Sequence, residues 1–198
     1  MISFIIFLSL MGAAQWYMNI SELKIEQYEY EIIKSFDDFE IRKYKPAIFS
    51  SIQLNASSYS ETSSKGFRQL AGYIFGDNER EQKIAMTSPV AMEIDSHTKM
   101  MFMVPSAYKL EDLPKPNNQN IRFEQHDSKY MAAIRFGGWA NDERIAKYER
   151  KLAEALQREG IKAKGKFLYF GYNPPYELVN RRNEVVIEIE FSAESDDI

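Results

Sequence analysis

Cysteine is absent from the 198 residues and histidine appears twice. The first absence excludes a disulfide framework and a thiolate metal site in any compartment, so hydrophobic packing alone must hold the fold. The second leaves little for metal or acid–base chemistry: His97 and His126 have no ligand partner at helical or hairpin spacing and read as exposed polar residues. A basic excess is also lacking. With 25 Lys and Arg against 29 Asp and Glu, the net charge of -4 gives no field to draw in a phosphate backbone, which excludes nucleic acid as a partner class.

Catalytic patterns are equally thin. No GxSxG elbow occurs, and Ser88 precedes a proline instead of sitting at a strand-to-helix turn. The stretch GIKAKGKF, Gly160 to Phe167, has phosphate-loop spacing as far as Gly165-Lys166 but puts Phe167 where a magnesium-binding hydroxyl belongs. It also ends a helix and opens a strand, the reverse of a phosphate loop. The carboxylates are scattered without a pairing and read as solvated faces. These absences argue against an enzyme.

No apolar run reaches the ~18 residues that a membrane helix needs. The run from Ile2 to Ala14 ends in small residues, with Gly12 and Ala14 at signal-peptidase spacing, so residues 1–14 read as a secretory signal and the protein as exported, periplasmic or secreted. The run lacks a preceding Lys or Arg; the alternative is an uncleaved N-terminus that anchors the chain to a membrane. Residues 15–27 form an N-terminal extension, 28–192 the folded domain with no stable membrane insertion, and 193–198 an acidic, solvated tail. Asn19-Ile20-Ser21 and Asn55-Ala56-Ser57 fit the glycosylation acceptor pattern.

What the chain has is apolar and aromatic surface: 44% hydrophobic and 14% aromatic residues, enough for one core. A chain of this length buries roughly 70% of its unfolded surface. Alternating patterns at 28–35, 39–44, 47–54, 100–104, 121–126, 131–136, 166–172 and 184–191 read as about eight strands. In the last, Val185, Ile187, Ile189 and Phe191 share a face opposite Glu184, Glu188 and Glu190. Two segments carry helical period instead. One opens at Ser58 with Glu61 in capping-box position, aligns Phe67, Leu70, Ala71 and Ile74, and stops at Gly76. The other follows Asn141, aligns Ile145, Tyr148, Leu152, Ala155 and Leu156, and ends at Gly160. Each helix follows a strand in similar order, which suggests two copies of one strand–helix unit joined by the Pro/Asn-rich loop PSAYKLEDLPKPNNQN. The residues alone reach a soluble α+β domain with an apolar stripe that serves either the core or a ligand pocket.

Three motifs go further: GYIFGDNEREQKIAMTSPV (Gly72 to Val90), FGGWA (Phe136 to Ala140) and GYNPPYELVNRRNEV (Gly171 to Val185). In this order and spacing the chain, from about Glu29 to Phe191, resembles the SOUL family of heme-binding proteins. The resemblance implies an α+β fold: a distorted eight-stranded antiparallel β-barrel flanked by two α-helices, built from two similar halves. It makes KIAMTSPVAME, Lys83 to Glu93, a structural strand and turn under the first helix. It also implies a heme or other tetrapyrrole ligand, a porphyrin included, held in an apolar cleft between the first helix and the loop after the paired prolines. On this chain those positions are Phe67, Leu70, Ala71 and Ile74 on the helix and Tyr176, Leu178 and Val179 on the loop, with Lys65 and Arg68 at the rim for the propionates. Lys43 stands where some members offer a histidine, and Glu177 where others have a basic residue, so no axial ligand is expected. One or both of Arg181 and Arg182 are expected to pair with carboxylates where the last strand begins. The resulting expectation is a non-enzymatic carrier or buffer of heme or porphyrin. Two alternatives keep the fold: an effector-type binding domain for another bulky apolar or cationic molecule, with Glu177 its one hint, or a protein-interaction module that presents the first helix to a partner.

Overall fold

The computed structural model describes residues 25–174, 177 and 179–191. The signal and tail segments, the Asn19 acceptor site, Tyr176 and Leu178 lie outside the described residues.

The strands are β1 (Glu26–Gln27), β2 (Tyr30–Ser35), β3 (Glu40–Tyr44), β4 (Ala47–Leu54), β5 (Thr87–Ser88), β6 (Val90–Glu93), β7 (Thr98–Met103), β8 (Arg122–His126), β9 (Lys129–Phe136), β10 (Ala163–Gly171) and β11 (Asn183–Ile189). Helix α1 (Tyr59–Ile74) follows β4, and α2 (Asp142–Arg158) follows β9. Nine strands form one sheet in the order β2-β3-β9-β11-β10-β6-β7-β4-β8, while β1 and β5 form a short parallel pair. All pairings in the large sheet are antiparallel. The expected class, α+β with two helices on an antiparallel sheet, is therefore present. The barrel and the eight-strand count are not: β2 and β8 end the sheet without pairing to each other, and β6 adds a ninth strand.

The order repeats about its centre. Reading outward from the β10–β6 pair gives β10-β11-β9-β3 on one side, with β2 as an extra strand beyond β3, and β6-β7-β4-β8 on the other. Each side contains a strand–helix unit, β4–α1 or β9–α2, and receives its last strand from the other half of the chain. The two-copy expectation from sequence thus has a topological counterpart.

Alternation along the strands divides the apolar residues between two faces. One face meets the helices: Ile41, Ile52, Met92, Met100, Phe102, Ala132, Ile134, Val185 and Ile187 pack with Leu70, Tyr73, Ile74, Ile145, Leu152 and Leu156. The opposite face has its own cluster, in which Tyr28, Tyr44, Phe49, Met101, Met103, Met131, Phe170 and Val186 are buried together. The helices sit close. A Cβ built on Gly66 would lie 2.7 Å from Leu54 Cδ1 and 3.1 Å from Met100 Cε, so glycine lets α1 rest on β4 and β7. KIAMTSPVAME is structural: Thr87 Oγ1 donates to the Met103 carbonyl at 2.7 Å, Met92 is buried, and Met86 and Val90 pack at the edge of the helix-side core.

Candidate functional site

The inferred helix residues do not share one environment. Leu70, Ala71 and Ile74 retain 0%, 7% and 5% of their surface and face the sheet, so they offer nothing to a cleft. Phe67 is half-buried, its ring 5.2 Å from that of Phe102 on β7. Lys65 and Arg68 are exposed, as rim residues must be, and Val179 on the loop is 71% exposed. The apolar stripe of α1 covers the sheet, and most of the helix's remaining positions are polar.

Around Val179 the chain is held in place by named groups. Arg181 Nη1 donates to the carbonyls of Pro174 at 3.0 Å and Glu177 at 2.6 Å, and Nη2 donates to that of Asn173 at 3.4 Å. Asn173 accepts from the Arg182 amide at 2.5 Å and donates to the Glu177 carboxylate at 2.7 Å. The Arg181 guanidinium also lies 4.3 Å from the ring centre of Trp139, which couples this loop to the FGGWA turn.

That turn is fixed in its own right. Gly138 has φ +73, a left-handed conformation that suits glycine, and a Cβ there would meet Arg144 Nη1 at 2.8 Å. Arg144 donates to the Trp139 carbonyl at 3.0 Å and the Gly137 carbonyl at 2.6 Å. Asn183 donates to the Gly138 carbonyl at 2.8 Å and accepts from Tyr169 Oη at 2.7 Å. The result is an indole 53% exposed on a backbone held from three sides. Sequence reasoning missed Trp139 as a surface residue because a single aromatic beside Gly-Gly reads as a turn; the motif itself was the only signal.

The helix N-termini meet here too. Asp142, first residue of α2, accepts from the amides of Tyr59 at 2.5 Å and Ser60 at 3.3 Å, while Ser58 and Asn141 cap α1 and α2 through Glu61 N and Arg144 N. Burial opposes ionisation of Asp142, but these hydrogen bonds prevail and lower its pKa.

The opposite face holds the charged network. Glu184, with no exposed surface, accepts from Arg42 at 2.7 and 3.1 Å, from Arg182 at 2.8 Å and from Tyr172 Oη at 2.8 Å. Of the two arginines expected to supply at least one carboxylate pair, Arg182 supplies it and Arg181 binds carbonyls. Burial pushes the Glu184 pKa up, and the two guanidiniums and the phenol more than reverse it, leaving the group ionised. Burial also raises the phenols of Tyr169 and Tyr172, so neither supplies a phenolate to a metal near neutrality. His97 is exposed; His126 is half-buried, not exposed, against Phe49 at 4.8 Å, and burial lowers its pKa.

Two open grooves of about 540 and 440 Å³ run along Gln27 to Glu29 and Lys45-Pro46, and no described residue of the inferred helix–loop site lines either. Their walls carry Glu29 and Lys45, which pair with each other. Among the described residues no cluster of three or more His, Asp and Glu could hold a metal ion, and no helix is long and apolar enough to cross a membrane.

A family model described as SOUL heme-binding protein matches residues 25–188. Heme-binding protein 1 of Xenopus laevis is 28% identical over 155 residues, covering 74% of this chain and 81% of that protein. Heme-binding protein 2 of Homo sapiens is 30% identical over 156 residues, covering 74% and 76%. Among solved structures, the EcmrR C-terminal domain superposes with a TM-score of 0.61 at 11% identity over 82% of this chain and 99% of that one, a likeness of fold alone.

Proposed function

The chain belongs to the SOUL heme-binding protein family, and from that premise we propose that it binds heme or a related tetrapyrrole as a non-enzymatic carrier or buffer. The observation that carries the reading is the family match over residues 25–188; the exposed side chains of Trp139 and Val179 offer apolar area in support of it. Phe67 gives partial apolar area, and Lys65 and Arg68 stand exposed on α1 for the propionates. Neither histidine belongs to this surface, so binding rests on contact area and charge and discriminates little between heme and metal-free porphyrin. We place the protein in an exported compartment on the strength of its N-terminal apolar run.

The effector-type alternative needs an acid free to meet a cation. Glu177 is engaged by Asn173 and Glu184 by two guanidiniums, which disfavours it. The test is titration of the purified protein with hemin and, separately, metal-free protoporphyrin, followed by absorbance. Saturable one-to-one binding of both with similar affinity is expected. Binding of hemin alone would reveal an axial ligand and overturn the contact-only mode; binding of neither would transfer the α1 surface to a protein partner.

A further inference from the structure

We infer that residues 25–29 form a strap that lifts from the protein as a unit, and that Tyr28 is its plug in a site for a small aromatic ring on the face opposite the helices. The tetrapyrrole reading above plays no part in this. Tyr28 retains 4% of its surface, whereas Gln27 and Glu29 beside it are exposed and Ile25 and Glu26 are half-buried. One side chain therefore anchors the strap. Its ring lies 4.7 Å from that of Tyr44 and 5.3 Å, edge-on, from that of Phe49, with Met101 and Met103 in the same cluster. Such an aromatic and thioether cage accepts a ring of this size. It does not serve the phenol's hydroxyl, which is buried and meets no hydrogen-bond partner among the described residues. The plug thus carries an uncompensated desolvation cost that works against its own seat.

The strap's other ties are few. β1 pairs with β5 over two residues, apart from the nine-stranded sheet, so lifting it breaks no pairing of that sheet. The Tyr28 amide donates to the Ser88 carbonyl at 2.8 Å, the Lys45 amide to the Glu29 carbonyl at 3.0 Å, and the Ser106 amide to the Glu26 carboxylate at 2.9 Å. The Glu29–Lys45 ion pair is exposed on both sides and adds little. Gln27, Tyr28 and Glu29 line both of the open grooves, so the strap has free space to either side. The next residue ends it: Tyr30 Oη accepts from Arg182 at 2.9 Å, its ring centre lies 4.2 Å from the Arg42 guanidinium, and β2 from there on pairs with β3. Tyr30 is the hinge. Strap and ligand compete for one place, so an aromatic molecule that enters the cage draws the population toward the lifted state.

The test is native-state hydrogen exchange on the full chain, on Tyr28→Phe and on Tyr28→Ala, each with and without p-cresol, the tyrosyl side chain freed of its backbone. In the intact chain the Tyr28 and Lys45 amides should exchange through an opening that low urea hardly changes, while β9 and β11 amides exchange only with global unfolding. Tyr28→Phe keeps the ring and drops the hydroxyl, so it should slow those two amides about tenfold. p-Cresol should speed the same two amides in the intact chain and raise the thermal midpoint of Tyr28→Ala, where the plug is missing. Exchange of Tyr28 and Lys45 only on global unfolding would remove the strap, and equal or faster exchange in Tyr28→Phe would show the hydroxyl to be satisfied and the plug not poised to leave. No effect of p-cresol on the intact chain would remove the ligand site, whether or not Tyr28→Ala folds. The porphyrin titration is untouched by any of these results.

Discussion

Glu184 shows how much one side chain can govern here. It is fully buried with Arg42, itself 3% exposed, and the pair is bidentate at 2.7 and 3.1 Å. Replacing both with apolar groups could be tolerated, but removing one leaves a buried charge without its partner. Glu184→Gln should therefore cost about 3–5 kcal/mol, read as a lower urea midpoint. The same carboxylate sets a pH dependence. Its folded pKa lies below the ordinary 4.5, so its contribution is complete above that value and is lost as pH falls through the lower folded one. The acid limb of the stability profile should be shallower in Glu184→Gln; an unchanged limb would show that other carboxylates control it.

At the scale of elements, α1 separates the residues that hold the protein together from those free to meet a ligand. Leu70→Asp buries a charge at a position with no exposed surface, and loss of the cooperative thermal transition is the expected result. Lys65→Glu with Arg68→Glu lies on the exposed side and should shift stability by no more than about 0.5 kcal/mol, while weakening porphyrin binding in the absorbance titration; unchanged affinity would remove both residues from the rim. The stripe at Phe67, Leu70, Ala71 and Ile74 was legible from period alone; its destination was not, because core and cleft demand the same residue types. Strand alternation likewise marked β2, β3, β4 and β7 to β11. It passed over β6, whose four residues are too few to show a period, and β1 and β5, which have two each. A carboxylate partner for one or both arginines of RRN was legible, but not which one, since nothing in RRN distinguishes a guanidinium that faces backbone carbonyls from one that faces Glu184.

The whole molecule adds what no element contains. Closure of a sheet depends on whether its first and last strands meet, and alternation along each strand says nothing about that; hence the open order β2 to β8 where a barrel was expected. The duplication is a different matter, since two strand–helix units were visible in the sequence and the sheet repeats about the β10–β6 pair. Repetition does not make the halves independent. β3, from the first half of the chain, pairs with β9 of the second, and β8 from the second pairs with β4 of the first. Each half therefore completes the other's sheet, and β10 and β6 join them at the centre. A chain cut in the 105–120 loop should give two fragments that are each unfolded by far-UV circular dichroism, because either alone loses the three pairings β3–β9, β4–β8 and β6–β10 and leaves one helix-facing core uncovered. Mixing them should restore the spectrum and a single unfolding transition. A first fragment that folds alone with a cooperative transition would mean that the strand exchange contributes little and that each strand–helix unit carries its own stability.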